Sequence, residues 1–139
     1  MFTKILVAVD GSDNSLRAAQ TARDIAACMQ SQITILYAAY IPPLYSVDIH
    51  PEVRDALHED GRKILDAAAK VFKGTAIEPT ERLVFDERPD EAILRLIEED
   101  GFDLVILGSR GLHGKELEAL GSTSLRVLDK ATCPVLVVH

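Results

Sequence analysis

Asp103-Leu104-Val105-Ile106-Leu107-Gly108-Ser109-Arg110-Gly111, followed nine residues later by Gly121-Ser122-Thr123-Ser124, is the stretch that decides the fold. Its apolar start has no polar alternation, the pattern of a strand buried on both faces in a helix-covered parallel sheet. Straight after the strand, Gly108 and Gly111 are predicted to adopt positive φ and to let a ligand come close where a Cβ would collide. Gly121 and Ser122 are placed to open the next helix, where unpaired N–H groups and the positive end of the helix dipole attract an anion. The hydroxyls of Ser122 and Ser124 are expected to donate to phosphate oxygens, and Arg110 either reaches a phosphate or is solvated.

Outward from this segment, short β-branched runs alternate with longer stretches of helical period, which predicts repeated βα units and a mainly parallel sheet. Strands are expected over Lys4 to Val9, Ile33 to Ala38, Thr80 to Phe85, Asp103 to Leu107 and Pro134 to Val138. Asp10-Gly11-Ser12-Asp13 supplies a turn and capping residues for a helix to about Met29. Residues 39–51 hold three of the six prolines and two of the three tyrosines, so an irregular stretch is expected there. A long helix follows over Glu52 to Phe72, a third opens at Pro89 in the first-turn position and runs through Glu99, and a fourth spans Ser122 to Lys130 with Leu125 and Leu128 turned inward. In such a sheet ligands bind beyond the C-terminal ends of the strands. Asp10 and the segment from Gly108 to Ser124 both fall at those ends and are expected to converge on one mouth.

Composition narrows the partners. The 139 residues and 47% hydrophobic content suit one domain, 1–139, with one core. The net charge of −7, without a Lys/Arg run or a tryptophan, argues against a nucleic-acid partner. The longest apolar runs are far short of the roughly 20 residues of a membrane span, and the N-terminal sequence lacks a secretory pattern, so the expected location is the cytoplasm. Cys28 and Cys133 form no CxxC pair and are expected to be reduced packing residues.

The spacing of Gly108, Gly111, Gly121 and Ser122 resembles the nucleotide-binding signature of the ATP-binding universal stress proteins. Three further segments resemble the same family in order and spacing: Ile5-Leu6-Val7-Ala8-Val9-Asp10-Gly11-Ser12, the strand from Asp103, and Cys133-Pro134-Val135-Leu136-Val137-Val138. The resemblance implies a five-stranded parallel open sheet with helices on both faces, Rossmann-like, in the order 3-2-1-4-5. It implies a pocket for ATP, expected with Mg²⁺, in which Asp10 lies beside the adenosine and the backbone at Ala38 meets the adenine edge. Gly108, Ser109, Arg110, Gly111, Gly121, Ser122, Thr123 and Ser124 would hold the ribose and phosphates. It further implies a homodimer through Pro134 to Val138, an apolar edge that a monomer would leave uncovered. One departure is Glu87-Arg88-Pro89, where many members carry a glycine two residues before the proline; the carboxylate would either disfavour a nucleotide or face solvent.

Bland readings stand beside these. Asp10 could cap a helix, Lys115 could be a surface charge, His113 could be solvated, and Tyr37, Tyr40 and Tyr45 could be ordinary half-buried tyrosines rather than an adenine frame. No Walker lysine motif, GxGxxG after the first strand, or GxSxG is present. The expected role is therefore a nucleotide-dependent regulatory module acting on a protein partner, in which ATP orders the loop from Ser109 to Leu120. The alternatives are a slow ATPase or nucleotidyl-transfer enzyme with Mg²⁺ in the same pocket, and, further off, a phosphorelay receiver using Asp86.

Overall fold

Side-chain alternation along the central strands puts Ile5 and Val7 on one face of a sheet and Leu6 on the other, and all three are fully buried. The computed structural model describes residues 1–40, 51–110 and 120–139. Within them the order is β1 (Lys4–Ala8), α1 (Asp13–Met29), β2 (Gln32–Ala39), α2 (Pro51–Ala69), a 3₁₀ turn (Lys70–Phe72), β3 (Thr80–Phe85), α3 (Pro89–Asp100), β4 (Leu104–Gly108), α4 (Ser122–Lys130) and β5 (Val135–Val138). The strands form one sheet in the order β3-β2-β1-β4-β5, every pairing parallel. This is the open, doubly covered sheet that the resemblance implied. The order reverses between β1 and β4, which opens a crevice at their C-terminal ends.

One face carries α1 and α2. Ala18, Ala19, Ala22 and Ala26 of α1 are buried with Ile5, Val7, Ile33, Ile35, Leu104 and Ile106, while Leu65, Ala68 and Phe72 extend the same cluster from α2 and the turn after it. The row of alanines lets α1 lie close to the strands. On the other face Ala92, Ile93, Leu96 and Ile97 of α3 pack with Val127 of α4 onto Leu6, Leu36, Val105 and Leu107.

Local chemistry explains the element ends. Ser12 caps α1 by accepting from Ser15 N–H at 3.2 Å. Pro89 occupies the first turn of α3, and Gly101 ends that helix in the left-handed conformation at φ 71. Two expectations are corrected. In α4 the inward stripe is Ser124 and Val127, three residues apart, whereas Leu125 and Leu128, about 100° further round the helix, are 52% and 43% exposed. Cys28 is exposed rather than packed.

Asp103 stitches the start of β4 to the N-terminal strand. Its Oδ2 accepts from Thr3 N–H at 2.9 Å and Thr3 Oγ1 at 2.8 Å, and its Oδ1 accepts from Lys4 N–H at 3.0 Å. Desolvation pushes this carboxyl up, but the Thr3 and Lys4 donors outweigh it and hold it below the ordinary carboxylate range. Because the folded carboxyl is the stronger acid, its stabilising contribution is present at neutral pH. That contribution is lost as pH falls through the unfolded value of about 4 toward the folded one. Denaturant melts of Asp103→Asn are expected to show lower stability at pH 7 and a shallower decline below about pH 5 than the unmutated chain.

Candidate functional site

The crevice at the C-terminal ends of β1, β2 and β4 holds a cavity of about 450 Å³, in the range that takes a small molecule. Two loops build one side of it. After β1, Gly11 takes φ 88, a conformation that favours glycine, and Asp10 Oδ1 accepts from Ser12 N–H at 2.9 Å. Asp10 N–H in turn donates to Ser15 Oγ at 3.3 Å. The cap of α1 is thus Ser12, and Asp10 holds the turn while its side of the chain lines the cavity.

The second loop leaves β4 at Gly108, and here the structure corrects the reason for the glycine. Gly108 is the last residue of β4 and does not take positive φ. A Cβ on it would lie 2.9 Å from Asn14 Cβ, 3.0 Å from Asn14 C and 3.1 Å from Ser15 N. The glycine admits the first turn of α1 against the strand end, in addition to lining the cavity. Ser109 is buried and is not among the lining residues. Its N–H donates to Val138 O at 2.8 Å, its carbonyl accepts from Gly121 N–H at 2.8 Å, and its Oγ accepts from Asn14 Nδ2 at 3.1 Å. Through its N–H, carbonyl and hydroxyl oxygen it joins β4 to β5, α4 and α1.

The start of α4 forms the polar end of the cavity. Gly121 is the N-cap at φ −64, ψ 159, with no side-chain cap. The first backbone bond of the helix runs from Leu125 N–H to Gly121 O, so the N–H groups of Ser122, Thr123 and Ser124 have no acceptor among the described residues. Gly121 N–H is taken by Ser109, and Ser124 Oγ donates to Gly108 O at 2.9 Å, so neither is the free donor that the sequence suggested. Arg110 lines the cavity and has no ion-pair partner among the described residues. Much of the remaining lining is apolar: Val9, Leu36, Ala38, Pro89, Ile93 and Leu107, with Tyr37 and Tyr40.

Of the residues expected to hold a ligand, Asp10, Ala38, Gly108, Arg110, Gly121, Ser122, Thr123 and Ser124 line this cavity together. Gly111 lies outside the described residues, as do His113, Lys115 and Tyr45. Glu87 neither faces the cavity nor is left to solvent. Arg95 clamps it from α3, with Nε 2.9 Å from Oε2 and Nη2 2.8 Å from Oε1. Pro89 and Ile93 were not expected at the site. Their helical spacing marks them as helix start and core, and nothing in a single helix shows that its first turn also borders a cavity.

A charged contact joins the first turn of α3 to the middle of α4. Asp90 of α3 is buried, with Oδ2 3.2 Å from Arg88 Nη2 and Oδ1 3.8 Å from Arg126 Nη1 of α4. Among the described residues no group of three or more His, Cys, Asp or Glu could hold a metal ion. None of their helices is long and apolar enough to cross a membrane.

The profile of the universal stress protein family matches residues 1–139. The universal stress protein YxiE of Bacillus subtilis is 33% identical over 153 residues, with all of both chains covered. Among solved structures, the universal stress protein UspA of Lactobacillus plantarum superposes with a TM-score of 0.85 at 29% identity, over 99% of this chain and 98% of its own. A universal stress protein solved in complex with cAMP superposes with a TM-score of 0.76 at 28% identity, over 99% of this chain and 97% of its own.

Gly108→Ala tests the corrected role of that glycine. Its new methyl meets backbone and Cβ atoms of Asn14 and Ser15, which cannot swing aside as a flexible side-chain tip would. Thermal or urea unfolding is expected to show a loss of about 1–3 kcal/mol, the usual effect of overpacking, with no ligand present.

Proposed function

The chain belongs to the universal stress protein family, and on that premise we propose that it binds ATP in the cavity at the C-terminal ends of β1, β2 and β4. The observation that supports this reading is the set of three amides at Ser122, Thr123 and Ser124, which have no acceptor among the described residues and belong to residues lining the same cavity as several apolar side chains. An anion at a helix start gains hydrogen bonds and the favourable end of the dipole together. The recess formed by Val9, Leu36, Ala38 and Ile93 suits a purine face, and Asp10 at the rim suits a ribose hydroxyl, which can donate to a carboxylate. Arg110 supplies a cation beside the phosphates. The cAMP complex of a relative supports the adenine nucleotide class. Mg²⁺ would ride on the phosphate oxygens, as it commonly does, with few protein ligands.

Such a protein acts as a cytoplasmic nucleotide-dependent module: occupancy alters the surface at the mouth, and a partner protein reads the difference. It works as a homodimer through β5. Pro134 O and Val138 O accept from β4, so by the alternation of a parallel ladder the polar groups of Val135 and Val137 point to the open side. All four residues of β5 are partly exposed, which leaves apolar area for a second copy to cover.

Calorimetric titration with Mg-ATP is expected to give saturable binding. Gly121→Val, whose backbone angles suit valine, should weaken that binding at least about tenfold, near 1.4 kcal/mol, while leaving the melt unchanged. No heat and no rise in melting temperature for the unmutated chain would refute the reading. For the dimer, light scattering should return twice the 15.2 kDa chain mass. Val137→Pro deletes an outward N–H without touching the β4 ladder and is expected to yield a folded monomer.

A further inference from the structure

Gly61 lies in the middle of α2, where glycine costs about 1 kcal/mol relative to alanine. It is buried there, and the reason is contact rather than conformation. A Cβ at this position would stand 2.7 Å from Leu83 Cδ1, 2.9 Å from Tyr37 Cδ1 and 3.1 Å from Tyr37 Cε1. Tyr37 and Leu83 are register partners across β2 and β3, so the backbone of α2 rests directly on a cross-strand pair. Tyr37 also lines the cavity at the end of the sheet.

We propose that Gly61 is a positioning residue for nucleotide binding: it lets α2 seat against the Tyr37 ring, which holds that ring back as a wall of the cavity and sets the room left for the base. The inference rests on the adenine-nucleotide reading above. The two contacts differ in how they can yield. Leu83 Cδ1 is the tip of a flexible side chain, whereas Tyr37 Cδ1 belongs to a rigid ring one bond from its Cβ–Cγ axis. An added methyl therefore either turns the ring from its rotamer toward the cavity or lifts α2 off the sheet. The environment of the phenol agrees with a ring lodged between helix and cavity. Burial first, then Asp60 beside Gly61, then Asp10 at the rim, push the phenol up and keep it protonated as a donor.

The test is a double-mutant cycle read by Mg-ATP titration of the full chain. Gly61→Ala is expected to weaken ATP binding by about three- to tenfold, the scale of an off-rotamer side chain. In a Tyr37→Leu background the same substitution should produce no further loss, because the ring through which it acts is gone. If Gly61→Ala unfolds the chain, Leu83→Ala removes the closest collision. The comparison of Leu83→Ala with Gly61→Ala/Leu83→Ala then retains the Tyr37 contact and should show the same weakening. A residue needed only for packing would lower the melting temperature in every background and leave the affinity alone, so Gly61→Ala binding within twofold of the unmutated chain overturns the inference. An equal loss in the Tyr37→Leu background overturns it too. An unmutated chain that binds no ATP overturns the functional reading and this inference with it, whereas tight binding with an indifferent Gly61→Ala overturns this inference alone.

Discussion

The site depends on a backbone contact: the end of β4 touches the first turn of α1 at Gly108, where there is no space for a Cβ. That approach brings two loops from opposite sides of the topological switch to within reach of each other. From the same point a small set of hydrogen bonds fixes everything at the mouth. Gly108 O accepts the Ser124 hydroxyl from α4, and Ser109 binds β5 through its N–H, α4 through its carbonyl and α1 through its hydroxyl. Two consecutive residues thereby set the relative position of four elements. None of these bonds is long-range in the electrostatic sense, so the frame does not weaken with salt as surface ion pairs do.

This frame also decides which donors remain. Each buried polar group needs a partner, and at the start of α4 the partners are assigned unevenly. Gly121 N–H goes to Ser109 and Ser124 Oγ to the end of β4, which anchors the helix, while the amides of Ser122, Thr123 and Ser124 have no acceptor among the described residues. On the proposed reading, anchoring the helix start lowers the cost of binding an anion there, because the donors need not be ordered when the ligand arrives. The buried Asp90 tie between Arg88 and Arg126 works in the same direction, by holding the start of α3 against α4.

How far the sequence could be read follows the range of each determinant. The strands were legible because both faces of a parallel sheet are apolar, and Ser12 and Pro89 because caps are local chemistry; β3 and α4 fall at the expected boundaries. The convergence of Asp10 with the segment from Gly108 to Ser124 was legible from where those residues stand relative to strand ends. What sequence could not supply was contact across elements. The positive φ expected of Gly108 is absent, and its contact with Asn14 and Ser15, ninety-odd positions away in the chain, is of a kind no local pattern shows. Ser109 and Ser124 have the composition of ligand donors, yet Ser109 is buried away from the cavity lining and the Ser124 hydroxyl donates within the protein. Leu125 and Leu128 fit a helical period but not its phase, because in so short a helix one buried valine decides which way the stripe points.

Gly61 belongs to the same class of unreadable residue, and on the proposed reading it links helix packing to the cavity along one face of the sheet. A glycine in a helix interior lowers helix stability in isolation. Its retention here makes sense only if the approach it permits is worth more than that loss. The approach is to Tyr37 and Leu83, one pair on adjacent strands, and Tyr37 of that pair also lines the cavity. Packing on the α2 face and cavity shape are therefore not independent variables in this fold. A change that eases the helix by adding a methyl must displace either the helix or the ring, and a rigid ring between helix and cavity transmits the displacement to whatever the cavity holds.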